Sequence, residues 1–511
     1  MTEITGELGI KDFYSVIFEE EPISINTSVF DVVQESFDFL KEFSKNKIIY
    51  GVNTGFGPMA QYKIEDSETI RLQYNLIRSH ASGTGNPISP KYVKAAMLAR
   101  LNTLALGNSG VHRSVIEVMA LLINKNVTPL IYEHGGVGAS GDLVQLAHLA
   151  LVLIGEGEVF YKGVRRPTEE VFELELIKPI NVALREGLAL INGTSVMTGI
   201  AIVNTIYARR LLEWMIACSS AINEIVQAYD DHLSFDLNQT KKHKGQREVA
   251  RAMRSHLQDS SLTRKREHHL YVSTEKVTVF EEKVQEYYSI RCVPQILGPI
   301  LDTLEYVEKI LIEEVNSAND NPIVDVAKKH VYHGGNFHGD YVSLEMDKLK
   351  IVVTKLSMLA ERQLNYLLNS KLNNILPPFV NLGVLGLNFG MQGVQFTATS
   401  TTAENQMLSN PMYVHSIPNN NDNQDIVSMG TNAAMITKKV IENAFEVIAI
   451  EMITIVQAIE YLEVQDRVSS KTKKMYDDVR KIVPPFKEDP VMYPFVNAVK
   501  NYIINHQNKK S

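Results

Sequence analysis

The chain has 511 residues, 45% hydrophobic and 22% charged, with a formal net charge of −8 and two cysteines. That length buries a sizeable core without disulfides or structural metal, and the acidic balance excludes a broad basic field for nucleic acid. Cys218 and Cys292 lie far apart, which excludes a disulfide framework and a cysteine-based metal site.

Met1 to Asp12 is acidic and has no apolar core, so no secretion signal is expected. Lys47-Ile48-Ile49-Tyr50 and Val159-Phe160-Tyr161 read as short strands running into glycine turns. The basic runs Lys241-Lys242-His243-Lys244 and Arg264-Lys265-Arg266 are short and read as solvated faces. Further on, Leu297, Ile300, Leu304, Val307 and Leu311 recur at helical spacing, as do Leu349, Val352, Leu356 and Leu359. Leu376-Pro377-Pro378-Phe379 and Val483-Pro484-Pro485-Phe486 read as turns between helices. The stripe Ile441, Phe445, Ile448, Met452, Ile455, Ile459 continues for about five turns, with Lys438, Glu442 and Glu446 on the other side. No apolar run reaches the roughly 18 residues of a membrane span. The expectation is a mainly α protein of the cytoplasm, without membrane or nucleic-acid partners. Its long helices form a central bundle, with a less regular N-terminal part. Residues 1–200 make that first region and 201–511 the long-helix bundle and C-terminal helices, as one continuous unit.

The densest glycine cluster is Gly135-Gly136-Val137-Gly138-Ala139-Ser140-Gly141-Asp142-Leu143. Gly136-x-Gly138-x-x-Gly141 matches a dinucleotide fingerprint, with Asp142 placed to cap the following helix. Yet Pro129 interrupts the preceding segment, and no strand–helix–strand unit surrounds it. A serine-hydrolase elbow needs glycine where Asp142 stands. A plain glycine turn is a third reading. In a fourth, a tight bend lets the Gly141 nitrogen attack the Ala139 carbonyl, and loss of water converts Ser140 to the dehydroalanine unit of a methylidene-imidazolone (MIO) ring. Glycine has no Cβ to hinder its nitrogen, alanine is small, and serine has a hydroxyl to lose. His330, His333 and His338 lack the spacing and company of a metal site, so no metal is expected.

Tyr50-Gly51-Val52-Asn53-Thr54-Gly55-Phe56-Gly57 and Val137 to Leu143 resemble two hallmark segments of the histidine/phenylalanine/tyrosine ammonia-lyase family. Leu190-Ile191-Asn192-Gly193-Thr194, Tyr288 to Gln295, Asn319-Asp320-Asn321-Pro322, Gly335-Asn336-Phe337-His338 and Asn423-Gln424-Asp425 follow in the family's order. The resemblance covers almost the whole chain, and the flavobacterial tyrosine enzymes look nearest. It implies long antiparallel helices in the fumarase/ammonia-lyase-like fold and a homotetramer with shared active sites. It also implies an MIO formed from Ala139, Ser140 and Gly141, with no external cofactor. Tyr50 is implied as the base for the β-hydrogen, Arg291 as the carboxylate holder, and Asn192 and Tyr288 as neighbours of the MIO and the amine. Ser79, His80, Gln285, Phe337, Glu404, Asn423 and Gln424 are implied along the substrate. Use of Tyr50 as a base requires a stabilised phenolate, and Arg291 is one candidate source.

On substrate the segments disagree. Ser79-His80 resembles the pair of histidine enzymes, whereas Asn423-Gln424-Asp425 resembles the tyrosine and phenylalanine form. A buried histidine facing a bare ring loses a partner, which argues against phenylalanine. The expectation is L-tyrosine to p-coumarate, with L-histidine to urocanate as alternative. A tyrosine aminomutase shares the same chemistry, and a non-catalytic helical scaffold is the reading from another class.

Overall fold

The computed structural model describes residues 1–271, 278–280 and 283–505. Helices make up 58% of it, so the mainly α expectation holds. The chain divides into two compact units: Met1–Ile206 with Val307–Asp347 and Pro411–Lys438, and Tyr207–Tyr306 with Lys348–Asn410 and Lys439–Ser511. The first unit's N-terminal stretch ends at Ile206, and two later segments join it.

In the first unit, α1 (Thr69–His80) turns Gln73, Leu76 and Ile77 inward. α2 (Pro90–Ala105) starts at a proline, whose missing N–H costs nothing in a first turn, and is buried continuously from Tyr92 to Ala105. α3 (Leu143–Leu153) and α4 (Glu186–Ile191) follow the glycine cluster. The strands are short: Glu158–Tyr161, as expected, pairs with Val164–Pro167 and with Thr128–Pro129.

Lys47 to Tyr50 does not form the expected strand. The Asn53 side chain accepts from the Ile49 N–H (3.0 Å) and donates to the Lys47 carbonyl (2.8 Å). One amide thereby occupies backbone groups that a partner strand would need. Ile49 packs with Leu40, Val52, Val324 and Val331, while Ile48 is exposed.

Among the described residues, four helices exceed 20 residues: α5 (Ser195–Ile225), α6 (Val293–Val315), α7 (Asp340–Leu368) and, after α8 (Gln392–Leu408), α9 (Gly430–Leu462). The stripe from Leu297 to Leu311 is buried in α6. In α7 the buried position is Val353, with Val352 half-buried, one residue off the expected stripe. From Val447 to Ile459 α9 is buried on every side, so periodicity there marks only part of a fully enclosed helix. Within the first unit, Asn204 donates to the Ala434 carbonyl (2.8 Å) and Thr437 to the Met346 carbonyl (2.9 Å). Within the second, Ser219 donates to Gln363 (3.1 Å) and Asn405 to the Val440 carbonyl (3.2 Å). These side chains fix the register of neighbouring helices where apolar packing alone is permissive. Among the described residues no helix is long and apolar enough to cross a membrane.

Glu451 lies in the enclosed part of α9, and neither carboxyl oxygen has a hydrogen-bond partner among the described residues. Burial pushes its pKa well above the ordinary carboxyl value. The unfolded chain ionises this group near pH 4.3 while the folded one keeps the proton. Its contribution to stability is therefore full below pH 4 and declines as pH rises toward the folded value. Glu451→Gln is expected to flatten that decline, by up to about 1.4 kcal/mol per pH unit. Denaturant unfolding of both proteins between pH 5 and pH 8 checks this; parallel curves refute it.

Candidate active site

The chain reverses at Ala139-Ser140, where Gly138 and Gly141 pair as an isolated antiparallel bridge. Gly138 (φ +82), Ser140 (φ +51) and Gly141 (φ +79) are all left-handed, unusual for serine and normal for glycine. The bend is gripped from below by Gly193, whose N–H donates to the Ser140 carbonyl (3.1 Å) and whose carbonyl accepts from the Asp142 N–H (2.7 Å). A Cβ at Gly141 would lie 2.1 Å from the Gly193 oxygen, and one at Gly138 would lie 2.3 Å from Ser428 Oγ. The glycines thus serve a backbone reversal under close contact. Thr128–Pro129 pairs antiparallel with Glu158–Tyr161, so the parallel unit of a dinucleotide site is not built here.

Asp142 stands at the N-cap position of α3 but makes no side-chain cap there, contrary to the sequence expectation. Its Oδ2 accepts from the Val196 and Met197 N–H groups at the start of α5 (2.8 and 2.9 Å). Its Oδ1 accepts from the Thr431 hydroxyl. The carboxylate is drawn to the free amides and positive end of the longer helix. Burial raises its pKa to about 6, against the pull of these hydrogen bonds.

Behind the bend lie two fully buried arginines. Arg185 donates to the carbonyls of Ser109 (2.7 Å), Asn321 (2.8 Å) and Pro322 (3.1 Å), and lies 3.6 Å from Asp320. Burial pushes its pKa down, whereas Asp320 and the Tyr50 phenol favour its charged form. Arg100 donates to the Ala189 carbonyl, and burial lowers it to about 10. Asn192 ends α4 in extended conformation, 2% exposed, and its Oδ1 has no hydrogen-bond partner among the described residues.

Ala139 and Ser140 open onto a cavity of about 1040 Å³. Tyr50, Asn192, Ser79 and His80 line it, as do Phe337, Asn423 and Gln424. Gln73 ties the Tyr50 turn to α4, donating to the Gly51 carbonyl (3.0 Å) and accepting from the Leu188 N–H (3.2 Å). The Tyr50 oxygen accepts from the Gly57 N–H (3.1 Å), and its ring meets Phe56 edge-on at 6.0 Å. His80 Nδ1 lies 2.9 Å from the Leu76 carbonyl oxygen and 3.0 Å from Ser79 Oγ. A carbonyl only accepts, so the proton belongs on Nδ1 and Nε2 is left as an acceptor.

Gln285, Tyr288, Arg291 and Glu404 belong to the second unit and are not among the residues lining this cavity. Arg291 donates to Gln285 Oε1, and its guanidinium lies 4.9 Å from the Tyr288 ring centroid. Glu404 accepts from Asn443 (2.6 Å) and lies 3.6 Å from Lys439 Nζ. Arg185, a residue outside the quoted segments, interacts electrostatically with Tyr50. Asn75 and His333 also line the cavity. Asn75 lies four and five residues before Ser79 and His80, a helical spacing that could have exposed it; His333 was weighed only as a metal ligand.

The sequence profile described as aromatic amino acid lyase matches residues 8–481. The chain is 37% identical over 503 residues to the tyrosine 2,3-aminomutase of Myxococcus fulvus, covering 97% of this chain and 95% of the other. It is 37% identical over 509 residues to the histidine ammonia-lyase of a Geobacillus species, covering 98% and 96%. The solved tyrosine aminomutase from Streptomyces globisporus superposes with a TM-score of 0.95 at 34% identity, covering 98% of this chain and 96% of that one.

Gly141→Ala combines a left-handed φ with a Cβ against a carbonyl oxygen. It is expected to destabilise by about 2 kcal/mol or more, read as a lower urea midpoint. An unchanged midpoint would mean that the Gly193 carbonyl yields freely.

Proposed function

The chain belongs to the aromatic amino acid lyase family, and from that premise we propose that it eliminates ammonia from L-tyrosine to give p-coumarate, in the cytoplasm and as a homotetramer with shared active sites. The observation that carries this is the forced bend at Ala139-Ser140, opening onto a cavity that also holds Tyr50 and His80. The residues fit an MIO. The reversal brings residues 138 and 141 together, Gly141 has no room for a Cβ, and the orphaned Asn192 oxygen is buried at the cavity wall. Formed from Ala139, Ser140 and Gly141, that group would supply an electrophilic carbon for the substrate amine.

The remaining work falls to ordinary side chains. Tyr50 Oη takes the β-hydrogen as general base. The Gly57 N–H donates to its oxygen at 3.1 Å, and the buried Arg185 interacts electrostatically with it. Asn192 Oδ1 accepts from an N–H of the neutral substrate amine, and Tyr288 closes over the same nitrogen. Arg291 clamps the carboxylate with two parallel hydrogen bonds, with Gln285 steadying it, both supplied by a neighbouring copy. Phe337, Asn423 and Gln424 wall the substrate, Glu404 faces it from the partner side, and Ser79 supports His80.

Selectivity rests on His80. With Nδ1 committed to the Leu76 carbonyl, Nε2 accepts from a phenol O–H or an imidazole N–H, and a phenyl ring offers neither. Asn423-Gln424-Asp425, which resembles the tyrosine and phenylalanine form, favours the phenol. The similarity to tyrosine 2,3-aminomutases favours a second reading, in which ammonia returns at the β-carbon to give β-tyrosine.

Purified protein incubated separately with L-tyrosine, L-histidine and L-phenylalanine, without added cofactor, distinguishes these. Coumarate from tyrosine, lost in Ser140→Ala, is the expected result; β-tyrosine by chromatography gives the mutase, and urocanate the histidine enzyme. No product from any of the three overturns the proposal. His80→Phe should raise the phenylalanine-to-tyrosine ratio of kcat/KM by about tenfold or more, the loss of one buried hydrogen bond. An unchanged ratio removes His80 as the selector.

A further inference from the structure

The segment that carries Gln285, Tyr288 and Arg291 is held to α7 by an unusual cation. Lys283 Nζ donates to Glu286 Oε2 at 3.0 Å and to Tyr366 Oη at 2.7 Å. It also lies 5.3 and 5.1 Å from the ring centroids of Tyr287 and Tyr366, which are 5.5 Å from each other. Glu286 is 8% exposed and Tyr366 2%, so the ammonium meets partners already withdrawn from water, where such contacts are strongest. Burial pushes the Lys283 pKa down, but Tyr366 and Glu286 outweigh it and hold the ammonium above its ordinary value. Burial raises the Tyr366 phenol, which therefore meets the cation neutral. One turn earlier on α7, Gln363 Nε2 donates to the Ser289 carbonyl at 2.7 Å.

Two anchors on one helix thus pin positions 283–286 and 289. Gln285 sits within the first anchor, and its Oε1 accepts from the Arg291 guanidinium. Isolated charge clusters of this kind contribute little net stability, because desolvation offsets the attraction; what they impose is geometry. Geometry is what a planar guanidinium needs to meet a carboxylate through two bonds.

We propose that Lys283 is a positioning residue for the substrate-carboxylate site, setting through Glu286, Tyr287 and Tyr366 the placement of Gln285 and hence the plane of Arg291. This rests on the role given to Arg291 above. Without the cation, only a fraction of molecules present Arg291 correctly, and apparent substrate affinity falls by that fraction. The Arg291–carboxylate contact persists from bound substrate to transition state, so its loss registers in KM rather than kcat.

The test uses the full-length protein with Lys283→Met, Lys283→Arg and Tyr366→Phe. Steady-state kinetics on the substrate the wild type turns over is paired with amide hydrogen exchange across residues 285–291. Lys283→Met should raise KM about tenfold with kcat within threefold, and speed exchange in that segment about tenfold or more. Lys283→Arg should restore most of both, and Tyr366→Phe should show a smaller change of the same kind. Unchanged KM and exchange in Lys283→Met overturns the proposal. So does faster exchange throughout the second unit with KM unmoved, which is the mark of a merely structural lysine. If Lys283→Met fails to fold, Tyr366→Phe is read by the same criteria. A wild type without turnover sinks the functional reading, while the exchange measurement still decides whether Lys283 holds the segment.

Discussion

The carbonyl oxygen of Gly193 occupies the place where a side chain on residue 141 would begin. Two backbones in such contact can meet only where one residue lacks a Cβ, and the approach holds the Ser140 carbonyl and the Asp142 N–H in bonds to the same glycine. Much of the first unit around it can be understood as the support for this contact. α4 delivers Asn192 and Gly193 together, Gln73 locks α4 to the turn bearing Tyr50, and Asp142 fastens the far side of the bend to the start of α5.

That support is charged, which a stability argument alone would not favour. Arg100, Arg185, Asp320 and Asp142 are all fully buried, and burial works against the charge on each. Arg185 avoids an uncompensated cost because three backbone carbonyls accept from its guanidinium. Arg185 also interacts electrostatically with Tyr50 while staying fully buried itself. The Gly57 N–H adds a directed bond to the same phenol oxygen.

Much of the fold was legible because helix periodicity survives in the sequence: the stripe from Leu297 to Leu311 is the buried face of α6. Periodicity failed where burial has no sidedness, as in α9 beyond Val447, and slipped by one position at Val352. The strand expected at Lys47 to Tyr50 failed for a different reason. Apolar β-branched residues were weighed there, but one asparagine side chain decided the backbone. Segments carrying glycine, asparagine and histidine led to most of the cavity wall, since those types are rarely placed together by packing. Arg185 was invisible, because a lone arginine beside a helix carries no sign that its partners are carbonyls more than 70 positions away. The alternative target of Asp142 was equally hidden, since N-cap position predicts a local bond and the observed one is long-range.

The grip on the bend also sets a schedule. Met429 N–H donates to the Val137 carbonyl, and Thr431 reaches Asp142 across 289 positions of sequence. On the ribosome those partners emerge about 15–60 s after the bend, at about 5–20 residues per second. Through that interval the glycine cluster has its partners at Gly193 and the start of α5 but not those at Met429 and Thr431. The complete set of bonds around the bend is thereby a late event in the life of the chain. A chain that ends before Ser428 carries Gly193 and the α5 amides but lacks the bonds from Met429 and Thr431.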